Sequence, residues 1–225
     1  MTSWQARLPA GTHNHFVVNI QPDEVAAVQA KLTMNLPLPQ NKIILYPIIL
    51  SQLIAINNKP VSAKNYSGLR AKQLADRTFS MSYLTELPAD NQIIAGRFWN
   101  VASHGQLSIE EGLATELGIK LADRLQFRVA GQEVEATVTS LRAVQWDSFH
   151  PNFFILATPD VLHGQPTTYI TSFYLPDVTS RLIPNLVQEF PSVTVVNIDA
   201  IMAQVRQIMD RASLAIEYVF IFTLL

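Results

Sequence analysis

The chain has 225 residues, of which 48% are apolar and 15% charged, with no cysteine and a formal net charge of -2. That length supports one large domain or two small ones with real cores. The lack of cysteine excludes disulfides, thiolate metal sites and cysteine nucleophiles. The near-neutral balance, with no Lys/Arg run, argues against nucleic-acid binding and against a polybasic lipid patch.

The N-terminal run Met1-Thr2-Ser3-Trp4-Gln5-Ala6-Arg7 has neither a basic n-region nor an apolar h-region, so it does not read as a signal peptide. Phe16-Val17-Val18-Asn19-Ile20 reads as a strand. Pro22, Asp23 and Glu24 suit a first helical turn. Val25, Val28 and Leu32 give that helix an apolar stripe ending before Pro37. Ile43 to Leu50 and Leu53 to Ile56 follow as two strands, with Asn57-Asn58 as a turn and Pro47 pointing to an edge or bulged position.

Ile93-Ile94-Ala95 is an apolar strand, and Phe98-Trp99 behind it suits a core or a lip facing a partner. Ser108-Ile109-Glu110-Glu111 has the spacing of a capping box, with Ser108 as N-cap and Glu111 reaching back. The helix it opens runs through Leu113, Ala114 and Leu117 to Gly118, a C-terminal cap. Leu125, Phe127 and Val129 alternate on one strand face, and Val134, Ala136 and Val138 on the next, with Ala130-Gly131-Gln132 as the turn. Tyr169 to Tyr174 is a strand stopped by Pro176. Leu182, Ile183, Leu186, Val187 and Phe190 form a helix face stopped by Pro191, and Val193 to Val196 is a further strand.

From the N-cap Asp199 nothing breaks a helix up to Leu225, a length of about 40 Å. Met202, Val205, Met209, Ala212, Ile216 and Val219 form a narrow stripe like a coiled-coil seam. From Leu214 the helix is apolar on all sides except at Glu217 and Thr223. A buried terminal helix would give the same pattern, and about a dozen residues are fewer than the ~20 of a span. The switch from a striped to a uniformly apolar helix favours the start of a transmembrane helix, with Tyr218, Phe220 and Phe222 entering the membrane.

Catalytic patterns are weak. There is no Gly-x-x-x-x-Gly-Lys-[Ser/Thr] loop, no Gly-x-Ser-x-Gly elbow, no His-Glu-x-x-His and no Gly-x-Gly-x-x-Gly. His13-Asn14-His15 could present two imidazoles to a metal, but no third ligand type lies near, and a surface or core-edge role is expected. Asp147-Ser148-Phe149-His150 gathers the residue types of a hydrolytic triad, whose members normally come from distant parts of a chain. Trp146, Phe149, Phe153 and Phe154 around it suggest a packed aromatic corner instead. No cofactor is expected.

Ser108 to Ala114 and Glu116 to Leu125 resemble the "EGLA…LGLKLGDxL" stretch of the periplasmic core domain in MacB/FtsX/LolC-type ABC transporter permeases. Ala122 stands where that stretch has Gly, a departure that bears on the turn. Trp146 to Phe154 (WDSFHPNFF), Thr168 to Pro176 and Glu217-Tyr218-Val219-Phe220 resemble the YbbP-like branch, so the likeness spans nearly the whole chain. It implies an α+β fold: a porter-like α/β subdomain from both chain ends (1–84 with 168–213, including the stalk helix) and an inserted β-rich, sabre-like subdomain (85–167). Residues 214–225 would begin a transmembrane helix.

The implied location is the bacterial inner membrane, with this domain in the periplasm. The implied function is mechanotransmission: hydrolysis by a separate cytoplasmic ABC ATPase subunit drives periplasmic conformational work on hydrophobic or lipid-like cargo, within a permease dimer in contact with membrane lipid. The stalk would use Met202, Val205, Met209, Ala212 and Ile216. A periplasmic esterase or another partner protein is implied as well. A docking module that recruits a partner enzyme is one alternative; a soluble hydrolase using Ser148 and His150 is another. The resemblance supplies no catalytic residues.

Overall fold

The computed structural model describes residues 12–36, 43–176, 181–205 and 207–208. They form a mixed α and β fold in which an 11-stranded sheet winds around two separate cores.

The first core belongs to the two ends of the chain. Strand β1 (His15–Ile20) leads into helix α1 (Val25–Asn35), which ends ahead of Pro37 as its stripe predicts. The next strand, β2 (Tyr46–Ile56), is 11 residues long and unbroken. The two strands expected at 43–50 and 53–56 are therefore one. Ser51 faces inward there, 2% exposed, and its hydroxyl donates to the carbonyl of Phe79, which lets a polar residue sit mid-strand. Near the other end, β10 (Thr168–Phe173), α4 (Leu182–Glu189) and β11 (Thr194–Asn197) follow in order. The strands line up as β11-β1-β10-β2. Val28 and Leu32 of α1 and Leu182 and Leu186 of α4 pack with Val17, Ile20 and Phe173 into one apolar cluster. Val187 stays 41% exposed, so the helix stripe is narrower than its sequence suggests.

The second core lies inside a closed barrel. Between β2 and β10 come β3 (Lys59–Pro60), α2 (Leu69–Ala75), β4 (Thr78–Tyr83), β5 (Asn91–Gly96), β6 (Gln106–Glu110), α3 (Glu111–Leu117), β7 (Arg124–Val129), β8 (Gln132–Val144) and β9 (Ile155–Ala157). β2 pairs with β4, β4 runs parallel to β9, and β9 pairs with β6. β6 runs parallel to β8, β8 pairs with β7, and β7 returns to β2. Closure removes the free edges that these strands would otherwise expose. Period-2 alternation points Ile49, Leu53, Leu125, Phe127, Ala136 and Val138 into the barrel.

β2 thus serves both cores. Its start, at Tyr46, Pro47 and Ile48, pairs with β10, and from Ile49 onward it pairs with β4. Pro47 sits where only β10 reaches it, so a missing N–H is tolerated inside a long strand. Trp99, Phe153 and Leu156, with Tyr46, Ile48 and Ile170 against them, fill the junction between the two cores.

One local expectation is settled differently from its spacing. Ser108 does not cap α3. β6 continues through Glu110 because β8 and β9 hold it on both sides, so the helix begins two residues later. Its cap is Glu110, whose carboxylate accepts from the N–H of Leu113 at 2.7 Å, while Ser108 accepts from the Ser140 hydroxyl. α2 and β4 carry no strong pattern of their own in the sequence. At the other end of α3, Gly118 adopts the left-handed conformation expected of it (φ 70°).

Candidate functional site

A cavity of about 560 Å3 opens beside the junction of the two cores. One wall is the segment 84–90 that links β4 to β5; the other is the start of β2 with His13 and Ser172. Ile43, Ile44, Leu84, Leu87 and Pro151 make the wall largely apolar, and His13, Asp90 and His150 form its polar end. Its volume falls in the range of small-molecule sites.

The polar end is built from three distant parts of the chain. Asp90 precedes β5, so that strand's pairing with β8 fixes its position. The residues from Trp146 to Ser148 form a 3-10 turn after β8, and Phe149 takes a left-handed conformation (φ 57°) that turns His150 back. Ser148 donates to Asp90 Oδ2 at 2.5 Å, Asn152 Nδ2 donates to the same oxygen at 2.6 Å, and Asn91 Nδ2 donates to Oδ1 at 3.1 Å. His150 Nδ1 lies 3.6 Å from Oδ2. Burial pushes the Asp90 carboxyl up, but the bonds from Ser148, Asn152, its own backbone and Asn91 outweigh it and hold the group below its ordinary value.

Beneath this network lies Arg142, a fully buried arginine on the inward face of β8. Its Nη1 donates to Asn91 Oδ1 at 2.7 Å, and its Nη2 donates to the Phe153 carbonyl. Burial lowers its pKa to about 10, opposed by the nearby carboxylates of Glu110 and Asp90. Arg142 therefore ties Asn91, and through it Asp90, to the segment that carries Asn152 and Phe153.

The two imidazoles of His13-Asn14-His15 separate. His13 enters the cavity, its Nδ1 at 2.7 Å from Ser172 Oγ and its ring edge-on to His150 at 4.4 Å between centroids. His15 stacks on Phe173, with Nδ1 at 2.8 Å from Asn14 Oδ1. Asn14 ties the two chain ends together by donating to the Leu175 carbonyl and to Asp199 Oδ2. Burial, with the adjacent His150, lowers the pKa of His13 to about 4, so it is neutral at pH 7. Among the described residues no group of three or more His, Asp or Glu side chains is placed to hold a metal.

This geometry does not assemble a nucleophile at Ser148. Its single proton goes to the Asp90 carboxylate, a far weaker base than an imidazole, so nothing activates the hydroxyl. Ser172 does meet an imidazole, but a His with a pKa near 4 is a poor general base at neutral pH. The aromatic corner forms in part: Trp146 packs on Phe154 at 4.7 Å and Phe154 on Phe79 at 6.1 Å, while Phe153 turns to Tyr46. Trp99 is buried and donates to the Leu84 carbonyl. No motif in the sequence marks Asp90 or Asn91. The signal for Arg142 is present, since Ser140 and Arg142 continue the inward alternation of Ala136 and Val138.

Residues 198–205 and 207–208 are helical, and Ile201, Met202, Val205 and Ile208 are 40–60% exposed on them. Met209, Ala212, Ile216, Tyr218, Phe220 and Phe222, with the expected membrane segment 214–225, lie outside the described residues. Among the described residues no helix is long and apolar enough to cross a membrane.

No protein-family model matches the chain. It is 34% identical over 202 residues, 90% of its length, to the uncharacterized ABC transporter permease YbbP of Escherichia coli (strain K12). It spans about a quarter of that relative, 24% of its length. The crystal structure of the periplasmic region of MacB from Actinobacillus actinomycetemcomitans overlays 90% of this chain and 97% of its own, with 12% identity and a TM-score of 0.49. With 34% identity over nine-tenths of its length, the chain is a homologue of one segment of an ABC transporter permease.

Proposed function

We propose that the chain is the periplasmic domain of an inner-membrane ABC transporter permease. In this reading a separate cytoplasmic ATPase subunit drives a permease dimer, and the domain converts that drive into conformational work on hydrophobic or lipid-like cargo. The observation that carries it is the 34% identity to a permease over nine-tenths of the chain. Two features of the fold support it. A largely apolar cavity lies at the junction of two cores, where relative movement of the cores would change its shape. The helix from 198 leaves the first core with Ile201, Met202, Val205 and Ile208 uncovered, as a lever that pairs with another helix requires.

The two cores also suggest how the domain divides. In this reading both chain ends build the porter-like part and the barrel is the sabre-like insertion. Residues 49–84, which the resemblance assigns to the porter-like part, supply β2 and β4 to the barrel instead, so the proposed division falls inside β2 between Ile48 and Ile49 rather than after residue 84. The stalk continues through Met209, Ala212 and Ile216 towards the membrane. A periplasmic partner enzyme, such as an esterase, would receive the cargo.

The test is a cross-link across the stalk. Met202→Cys and Val205→Cys are introduced into the intact permease reconstituted with its ATPase, and cysteine pairs are closed by oxidation. Cross-linking should reduce ATP-dependent cargo release several-fold, with recovery on reduction. Release and ATPase rates that do not change on cross-linking would sink the lever.

A further inference from the structure

The charges around the cavity are of one sign. Among the described residues that line it, the carboxylates of Glu86 and Asp90 are present and no Lys or Arg is. Glu86 is exposed at the rim with no hydrogen bond or ion pair to a described residue, and the Asp90 side chain is 10% exposed at the inner end. The donors that hold Asp90, from Ser148, Asn152 and Asn91, are all neutral, so its charge is stabilised without being cancelled. Arg142, the buried cation behind them, has Glu110 beside it as well as Asp90. His13 remains uncharged at neutral pH, and His150 Nδ1 lies 3.6 Å from Asp90 Oδ2.

We infer that the cavity binds an amphiphile with a cationic amine head and an alkyl tail, and discriminates against fatty acids and other anionic amphiphiles. The tail lies along Ile43, Ile44, Leu84 and Leu87, and the ammonium group sits between Glu86 and Asp90. An anionic head placed there would meet two like charges with no cation to balance it, which disfavours it strongly in a site of reduced dielectric. This rests on the reading that the domain handles hydrophobic cargo, and it narrows that cargo by the sign of its head group.

The test uses the 225-residue chain at pH 7, titrated with dodecylamine, dodecanol and dodecanoate below their aggregation concentrations. Binding is read by calorimetry and by tryptophan fluorescence, to which Trp99, hydrogen-bonded to the carbonyl of the cavity residue Leu84, contributes. Dodecylamine should bind at one saturable site, about tenfold or more tighter than dodecanoate. Glu86→Gln, an exposed change that leaves the fold alone, should weaken the amine about two- to fivefold, as expected for a partly solvated ion pair. Asp90→Asn should weaken it more, with circular dichroism confirming the fold.

Equal binding of the three probes, or amine binding that both variants leave unchanged, overturns the inference. So does dodecanoate binding more tightly than the amine. These outcomes leave the transport reading standing, because that is decided by the stalk cross-link in the intact permease. A failed cross-link test with selective amine binding would overturn the lever alone.

Discussion

At the residue scale, Ala122 shows how a side chain can oppose its backbone. It lies at φ 68° in the turn between α3 and β7, where its N–H donates to the Val138 carbonyl and Asp123 closes the turn by accepting from the N–H of Lys120. The left-handed region costs an L residue roughly 1–2 kcal/mol, whereas glycine loses roughly 0.5–1 kcal/mol in chain entropy. Ala122→Gly should therefore stabilise the protein by about 0.5–1 kcal/mol, read as a higher midpoint in urea with an unchanged slope. A lower midpoint would mean that the alanine methyl contributes packing which outweighs the strain. The sequence marks this position, since the resembled stretch has Gly there, but the sign of φ is visible only in the fold. Asp90 marks the opposite limit. Nothing around it in the chain sets it apart, because its partners Ser148 and Asn152 lie about 60 residues away and only folding brings them to it.

At the scale of elements, α3 is the clearest case of local pattern meeting tertiary demand. Leu113, Ala114 and Leu117 are buried as their spacing predicts, and Gly118 ends the helix as expected. The start is decided elsewhere. Pairing of β6 with both β8 and β9 extends the strand over the residues that would otherwise begin the helix, and the cap moves from Ser108 to Glu110. Glu110 also pairs across the ladder with Arg142. Glu110→Ala should cost about 1–2 kcal/mol for the lost cap, and more because buried Arg142 loses a nearby carboxylate. Ser108→Ala should cost less than Glu110→Ala, since Ser108 holds only the Ser140 hydroxyl. Chemical denaturation of the two variants gives the order directly, and the reverse order would restore the capping box.

At the scale of the whole molecule, two cores share one long strand. Phe173 is fully buried in the cluster made by the chain ends, and Phe127 is fully buried in the barrel. Each Phe→Ala change should cost about 3–5 kcal/mol. The effects should separate in space: Phe173→Ala speeds hydrogen exchange in β1, β10 and β11 while β6, β7 and β8 stay protected, and Phe127→Ala does the converse. Uniform loss of protection in both variants would show that the cores unfold as one unit. Exchange measured peptide by peptide distinguishes the two.

Sequence alone determined the local pieces: the amphipathic α1, the alternation in β7 and β8, the Gly118 cap, and the motifs of a permease. Each rests on a period of two or 3.6 residues, or on one backbone preference, and such signals survive without any long-range contact. Only the tertiary structure decided that β2 is a single strand serving two cores, that six strands close into a barrel, and that His13, Asp90 and His150 meet in one cavity. Those outcomes depend on which strands pair across the chain, and pairing follows from burying both cores together, a quantity that no short window of sequence contains.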